Sequence, residues 1–254
     1  METIGLIAAM PQESAALLRC LGSWKRIARG PFRGHRFDLS GHTCVLVTSG
    51  MGIQRASEAA RNLLELNAPR FLISFGIAGA VEADLEIGDV VTADATCLLD
   101  QGVPGPRLPL TPWPVAARQA MIRALDRRGA RLFSGTAVTT LGSQFVQYRA
   151  EDMPHPILEM ETVGIAEVAA EQKIPLLSLR AISDGPCAPF PFNLSELMDK
   201  DANLHVSSML KVVVHHPGII LQSRQLVRNT RIAADNAALA LVAALEWLVS
   251  NPVL

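Results

Sequence analysis

The sequence lacks the features that mark nucleic-acid-binding, secreted and membrane proteins. Its 23 Lys and Arg residues are interspersed with 24 Asp and Glu residues, which leaves no broad basic surface for a phosphate backbone. Even the apolar stretch 237–249 is interrupted by Glu246, so no apolar run reaches the roughly 18 residues of a membrane span. The apolar start, residues 4–10, follows Glu2 without a basic region and is typical of a core strand, not of a signal peptide. We therefore expect a cytoplasmic protein with no nucleic-acid partner.

The chain also lacks the cysteine and histidine patterns of metal sites and disulfide frameworks. Its four cysteines are widely spaced without a CxxC pair, and its six histidines form no HExxH pattern. We therefore expect idle thiols, no disulfide and no metal. The residues concerned are Cys20, Cys44, Cys97, Cys187, His35, His42, His155, His205, His215 and His216.

What the sequence does have is a globular composition, with 49% hydrophobic and 19% charged residues among 254. Such a chain can bury a large core. Because no low-complexity linker divides it and no repeat is visible, we expect one domain, residues 1–254. The Pro-rich stretch 103–114 predicts a long surface loop within this domain.

Short β-rich apolar runs alternate with longer helical patterns along the chain. This alternation predicts an α/β layered fold whose central sheet is largely buried and whose ligands gather at strand ends. The predicted strands are 4–9, 44–49, 71–75, 89–96, 135–141, 157–160 and 176–183, and the clearest predicted helices are 54–66, 114–128, 162–172 and 224–249.

Carboxylates that a core does not need follow three of the predicted strands. Glu13 follows the first, Glu161 the sixth and Asp184 the seventh. Each has an ordinary structural explanation: a first-turn helix residue for Glu13, a capping or surface position for Glu161, and turn chemistry for Asp184 in Ser-Asp-Gly. Taken one at a time, the three residues leave structural and chemical roles open.

Two glycine-containing segments also follow strands: SGMG at 49–52 and FGIAG at 75–79. The first lacks the third glycine of GxGxxG, and the second lacks the Lys and Ser/Thr of a P-loop. We therefore expect no cofactor. The simplest interpretation is two tight strand-to-helix turns that allow a ligand or neighbouring backbone to approach closely.

Five ordered motifs carry a resemblance to a known family: IGLIAAMPQE, VLVTSGMG, FGIAGAVEADLEIGDVV, LEMETVGIAEVA and LLSLRAISD. Together they resemble the purine nucleoside phosphorylase superfamily, and within it the 5′-methylthioadenosine/S-adenosylhomocysteine nucleosidases. The resemblance spans roughly residues 4–185. It implies a nucleoside phosphorylase-like three-layer αβα fold with a mixed central sheet, and a variable helical extension from about residue 194.

The resemblance also implies catalytic roles. Glu13 would position and activate a water beneath the anomeric carbon, and Glu161 would hold the ribose hydroxyls. Asp184 would donate a proton toward N7 of adenine, while Arg180 would help to order the water and its carboxylate.

Substrate-binding residues are implied in the same way. Phe145 would stack on the base, with Val146 beside it in the same motif. Met51 and Met160 would contact the sugar, Ile77 occupies the loop that touches the water and ribose, and Phe190 or Phe192 would close the 5′ side.

The chemistry of adenine release independently requires such a set. Adenine leaves poorly as an anion, so N7 must gain a proton, which a carboxyl group with a pKa raised by burial can supply. The sugar becomes oxocarbenium-like as the bond lengthens, and nearby carboxylates stabilise that charge while one of them orients the nucleophile. Asp184 suits the first task, and Glu13 and Glu161 suit the others.

Several positions depart from the nucleosidase pattern and leave the substrate open. Ile77 replaces a serine, Pro11 and Gln12 replace acids, and Ser143 replaces an aspartate of the base loop. The phosphorylases that it resembles hold phosphate with an Arg and a Ser or Thr near the 75–79 loop, and this chain lacks that arrangement. A dianion would be poorly bound without those donors, so we expect water to be the nucleophile.

Two other functions remain open. The stretch from Leu210 onward resembles the end of hopanoid-associated phosphorylases, which remove adenine from adenosylhopane, and only that alternative implies membrane contact. A catalytically inactive purine-binding module is the other. The nucleosidases complete their 5′ pocket with a partner loop, so the resemblance also implies a homodimer, with residues 98–114 as the candidate contributor.

Overall fold

A computed structural model of the protein describes residues 2–141, 153–185 and 219–251. Its strands and helices alternate in the order that the sequence predicts. The strands are β1 (Thr3–Ala8), β2 (Lys25–Arg29), β3 (Phe32–Leu39), β4 (His42–Thr48), β5 (Phe71–Ala80), β6 (Val90–Asp100), β7 (Val103–Pro104), β8 (Leu108–Pro109), β9 (Leu132–Thr140), β10 (Pro156–Glu159) and β11 (Leu176–Asp184). The helices are α1 (Pro11–Cys20), α2 (Ile53–Asn67), α3 (Val115–Asp126), α4 (Thr162–Glu171) and, last in the chain, α5 (Ile219–Ser250).

The described strands form one mixed sheet in the order β10-β9-β6-β11-β5-β1-β4-β3-β2, with β7 and β8 paired to β6. The central strands β11, β5, β1 and β4 run parallel to one another. Strand β10 pairs with both β9 and β5, so β5, β11, β6, β9 and β10 close into a ring. The pairing places the carboxyl end of β1 beside the middle of β5, where Ile7 is opposite Ser74, and the carboxyl end of β11 near the end of β5, where Asp184 is opposite Gly79.

Helices cover both faces of this sheet, which confirms the predicted layered α/β fold. Apolar residues of α1, α3 and α5 form one buried cluster with the sheet, and those of α2 and α4 form another. Strand β11 is buried along its whole length. Two-sided burial explains why the inner strands are nearly continuous apolar runs.

Helix α5 is long and apolar enough to cross a membrane, with a mean hydropathy of 1.6 over its best window, but 61% of that window is buried inside the protein. It packs against α1, α3 and β11. Its contact face is rich in alanine, including Ala237, Ala240 and Ala244, and small side chains allow such close approach. We therefore interpret α5 as a core helix.

The prediction of a turn at residues 75–79 is wrong. Those residues continue β5 as far as Ala80. The strand persists because β1 pairs with its first half and β11 pairs along nearly its full length. The 49–52 segment is a turn as predicted, since Gly50 and Gly52 have φ values of 84° and 98°.

Candidate active site

Three strand ends and one turn bring the predicted carboxylates together around β5. Glu13 lies in the first turn of α1, directly after β1, and Asp184 ends β11. Strand β10 runs antiparallel to β5, with Leu158 opposite Gly79, and its continuation carries Glu161 back along β5. The sheet topology therefore gathers side chains that are far apart in sequence.

Glu13 is buried, and its carboxylate spans two elements. Oε2 accepts a hydrogen bond from the backbone N–H of Met10 at 2.7 Å, and Oε1 accepts one from the N–H of Ile77 at 2.9 Å. The hydrogen bond with Met10 caps α1, in agreement with a structural role for a first-turn helix residue. The hydrogen bond with Ile77 connects Glu13 to β5 and is not explained by capping. Burial raises the pKa of Glu13, while the two N–H donors and the charge of Arg180 oppose the shift.

Asp184 is buried at the end of β11, where the pairing with β5 shifts register. Within the described part of the chain its carboxylate accepts one hydrogen bond, from Ser183 Oγ to Oδ1 at 2.6 Å. Burial raises the pKa of Asp184 more than this hydrogen bond lowers it. The surroundings of Asp184 therefore shift its carboxyl group toward the protonated form.

Glu161 is the N-cap residue of α4, yet its side chain does not cap that helix. Its Oε1 accepts a hydrogen bond from the N–H of Gly52 at 2.9 Å, across to the turn before α2. Burial and the neighbouring Glu159 raise the pKa of Glu161 to about 8, against the lowering effect of Arg180 and the Gly52 N–H. The capping interpretation of Glu161 is therefore wrong.

Two glycines of β5 make room for two of the carboxylates. A Cβ atom at Gly79 would lie 2.6 Å from Asp184 Oδ2, and a Cβ at Gly76 would overlap Glu13 Oε1. Real Cβ atoms essentially never lie so close to another heavy atom. Glycine is therefore required at both positions because the carboxylates occupy the space of a side chain.

Glu159, to which the sequence motifs assign no role, lies at the centre of a buried hydrogen-bond network. Its Oε2 accepts hydrogen bonds from the N–H groups of Glu161 (3.0 Å) and Thr162 (2.8 Å), which caps α4. The same oxygen is 3.2 Å from the Arg180 guanidinium, and Thr139 donates to Oε1. Its position two residues before Glu161 on an apolar strand was the only available signal.

Arg180 is buried and is held by this network. Its Nη2 donates to Ser74 Oγ at 2.8 Å and to Glu159, and its Nη1 donates to the carbonyl of Leu179 at 3.0 Å. Among the described residues it donates no hydrogen bond to Glu13 or Asp184. Its charge nevertheless lowers the pKa of both Glu13 and Glu161, so it acts on the site electrostatically.

The other predicted binding residues are placed only in part. Met51 lines a cavity next to the turn that holds Glu161, and Ile77 packs partly against the core while its N–H binds Glu13. The Met160 N–H donates to Glu161 Oε2 at 3.3 Å. Phe145, Val146, Phe190 and Phe192 lie outside the described residues.

A separate group, Glu82, Asp84 and His155, places potential ligand atoms within 4.8 Å of one another. His155 Nε2 lies 3.4 Å from Asp84, and Nδ1 lies 3.1 Å from the carbonyl of Ser134. These contacts already provide partners for the imidazole ring, and we assign the group no role. The absence of a metal remains an expectation.

Comparison with known proteins gives relatives along nearly the whole chain. A 5′-methylthioadenosine/S-adenosylhomocysteine nucleosidase of Tolumonas auensis is 29% identical over 227 residues, which are 82% of this chain and 98% of that protein. The crystal structure of such a nucleosidase from Colwellia psychrerythraea, in complex with adenine, has a TM-score of 0.73 at 21% identity and covers 96% of this chain and 94% of its own.

A futalosine hydrolase mutant of Helicobacter pylori has a TM-score of 0.70 at 15% identity, covering 98% of this chain and 100% of its own. At these identities the solved structures show the fold alone. The sequence profile of the phosphorylase superfamily matches residues 3–215. Since that range includes all three carboxylates, the β5 glycines and the Arg180 network, the chain belongs to the phosphorylase superfamily.

Proposed function

We propose that the protein hydrolyses the N-glycosidic bond of a 5′-substituted adenine nucleoside and releases adenine. The observation that carries the proposal is the convergence of Glu13, Glu161 and Asp184, all buried and all with a raised pKa, around one strand of the sheet. Burying a carboxylate without a salt-bridge partner lowers the stability of the fold. A cluster of such groups with raised pKa values therefore indicates a functional site. The relative in Tolumonas auensis, described as a 5′-methylthioadenosine/S-adenosylhomocysteine nucleosidase, supports the same reaction.

In this mechanism Asp184 donates its proton to N7 of adenine. Its raised pKa favours the protonated form of the carboxyl group, and proton transfer to N7 converts the base into a neutral leaving group. Glu161 holds the ribose hydroxyls, and the positive charge that develops on the sugar favours its ionised form. Glu13, fixed by two N–H donors, orients the attacking water.

Water is the proposed nucleophile because the surroundings of β5 are unfavourable for phosphate. Ser74 Oγ already accepts a hydrogen bond from Arg180, and the Ile77 N–H is taken by the Glu13 carboxylate. The resemblance implies that the phosphorylases place hydrogen-bond donors to phosphate at this loop. In this chain a phosphate dianion would instead lie beside the Glu13 carboxylate, which would repel it.

The test is a chromatographic assay of adenine and sugar products from 5′-methylthioadenosine and S-adenosylhomocysteine, with and without inorganic phosphate. We expect adenine and the free sugar at a rate independent of phosphate. A phosphate-dependent rate with a sugar 1-phosphate product would contradict hydrolysis. Binding of adenine nucleosides without any release would instead indicate a purine-binding module.

The remaining attributes are part of the same proposal. The described residues share one continuous sheet covered by helices, which supports a single domain. The proposed extension from about residue 194 would include helix α5 (Ile219–Ser250). Cys20, Cys44 and Cys97 are free thiols, which is consistent with a cytoplasmic enzyme. Its partner would be a small-molecule adenine nucleoside.

A further inference from the structure

Glu161 is the N-cap residue of α4, but other side chains accept the hydrogen bonds of the first turn of that helix. The N–H of Thr162 donates to Glu159 Oε2 at 2.8 Å, and the N–H of Val163 donates to Thr139 Oγ1 at 3.1 Å. An N-cap side chain normally accepts N–H groups from this turn. Because both groups already have partners, α4 does not need the Glu161 carboxylate.

Thr139 and Glu159 form one buried unit that caps α4. They lie opposite each other on the paired strands β9 and β10, and the Thr139 hydroxyl donates to Glu159 Oε1. Both residues are buried. The cap of α4 is therefore part of the sheet, and it leaves Glu161 free to reach across to the N–H of Gly52.

Glu159 also provides the counter-charge of Arg180. Their closest atoms are 3.2 Å apart, and among the described residues this is the only ion pair of Arg180. The Thr162 hydroxyl bridges the two groups, since it donates to Glu159 Oε2 at 2.7 Å and accepts from Arg180 Nη2 at 3.2 Å. A buried guanidinium without a carboxylate partner is costly. Without the charge of Glu159, Arg180 would therefore attract another nearby carboxylate.

Glu161 is the carboxylate that this change would affect most directly, because its own N–H donates to Glu159 Oε2 at 3.0 Å. The charged groups that act on Glu161 come from three elements. Glu159 on β10 and Glu13 on α1 raise its pKa, and Arg180 on β11 lowers it. Helix α2 contributes the uncharged N–H of Gly52 at its start. The charge state of Glu161 therefore depends on how far Glu159 neutralises Arg180.

We propose that Glu159 is a positioning residue for Glu161: it holds the start of α4 and the guanidinium of Arg180, and so keeps the Glu161 carboxylate available to the ribose hydroxyls. The inference rests on the proposed function, because it concerns how the same site holds the sugar. Glu159 acts through Glu161 and does not itself contact the substrate. Its negative charge is required for this task, whereas an amide of the same shape would suffice for helix capping alone.

The test compares the cleavage of 5′-methylthioadenosine with that of its 2′,3′-dideoxy analogue by the native enzyme and by Glu159→Gln. The ratio of the two kcat/KM values does not depend on how much of the protein is folded, so it separates positioning from stability. We expect the ratio to fall roughly tenfold or more in Glu159→Gln, since a hydrogen bond to a charged group contributes about that factor. A residue with only a structural role would leave the ratio unchanged.

The pH dependence of kcat/KM for 5′-methylthioadenosine is the second measurement, because it reports the pKa values of essential groups in the free enzyme. The pKa of Glu161 is raised to about 8, and Glu161 acts in its ionised form, so kcat/KM of the native enzyme should rise toward pH 8. Glu159→Gln removes a negative neighbour and leaves the charge of Arg180 without its partner. Both changes lower the pKa of Glu161, and we expect the rising limb to move to lower pH by about one unit or more.

Glu171→Gln is the matched control. It removes one negative charge from the same helix, where Glu171 forms an exposed pair with Arg61 at 3.6 Å, and it should change neither the ratio nor the pH profile. If Glu159→Gln does not fold, Thr139→Val replaces it, because this variant removes the hydrogen bonds of Thr139 and leaves every charge in place. The ratio should fall in Thr139→Val and be restored in Thr139→Ser.

An unchanged ratio or an unmoved rising limb in Glu159→Gln would overturn the inference, as would an unchanged ratio in Thr139→Val where that variant decides. In each case adenine release by the native enzyme upholds the proposed function. If the native enzyme releases no adenine, the proposed function fails. Calorimetric binding of the same two nucleosides to the native protein and the variants then gives the ratio of affinities, which decides the inference by the same criterion.

Discussion

At the scale of single residues, Asp184 carries the sharpest prediction. Asp184→Asn keeps the shape of the side chain and its contact with Ser183 Oγ, but it has no proton to donate. We expect kcat to fall by about 10²–10⁴-fold with little change in substrate binding, because general acid catalysis contributes that factor. Adenine release and thermal melting are measured on the same variant. Normal kcat with a lowered melting temperature would instead assign Asp184 a structural role.

Glu159 is expected to matter for stability. Glu159→Gln removes the charge opposite Arg180, and both side chains are almost fully buried, with exposures of 1% and 3%. An unpaired buried charge costs about 3–5 kcal/mol of unfolding free energy. The control is Glu171→Gln, because Glu171 and Arg61 form an exposed pair at 3.6 Å, for which we expect less than about 1 kcal/mol. Denaturant unfolding of both variants measures the difference, and similar losses would refute the prediction.

Glu161 should make the stability of the protein depend on pH. Its pKa is raised from 4.5 to about 8 on folding, so between these pH values the folded state binds more protons than the unfolded state. Stability should therefore fall as pH rises through this window. We expect the melting temperature of Glu161→Gln to fall less steeply than that of the native protein between pH 5 and pH 8. Parallel curves would show that the pKa of Glu161 is not raised.

At the scale of elements, strand β5 is predicted to tolerate no side chain at Gly76. In Gly76→Ala the new methyl group would displace the Glu13 carboxylate, and we expect kcat to fall by roughly tenfold or more, with a stability loss of about 1–3 kcal/mol for overpacking. Gly22→Ala is the control, since a Cβ there meets nothing within 4 Å. A fully active Gly76→Ala enzyme would show that Glu13 is not held as described.

The elements also show what sequence can predict. The buried strands β1, β4 and β11 were predicted to within two residues at each end because burial imposes a continuous apolar pattern. The hairpin of β2 and β3 was missed, since its exposed, arginine-rich edge carries little such pattern. The extension of β5 through Gly76 and Gly79 was missed because glycine after a strand usually indicates a turn.

The sequence motifs predicted the catalytic residues of the site but not the contacts that hold them. Glu13, Glu161 and Asp184 came from the five motifs, and the structure brings them together. The contacts of Glu13 with Ile77 and of Glu161 with Gly52 join residues 64 and 109 positions apart. No local pattern encodes such contacts, because they arise only when the sheet forms.

At the scale of the whole molecule, we predict a homodimer. Val103, within the segment proposed to complete a partner's pocket, is 67% exposed, and Leu66 at the end of α2 is 56% exposed. Exposed apolar side chains of this size favour burial in an isologous interface. Light scattering should give twice the 27.3 kDa chain mass, and Val103→Asp should shift the protein toward monomer with loss of activity. A fully active monomer would exclude the dimer.

The glycines of β5 have a consequence for engineering. Gly76 and Gly79 sit in the interior of a strand, where glycine weakens the strand relative to β-branched residues. Protein engineers who choose substitutions by strand propensity would replace both glycines early. The new side chains would occupy the space that the carboxylates of Glu13 and Asp184 now fill. The enzyme therefore carries a built-in trade-off between stability and activity. Gains in heat tolerance should be sought at positions remote from β5, where added stability leaves the carboxylates in place.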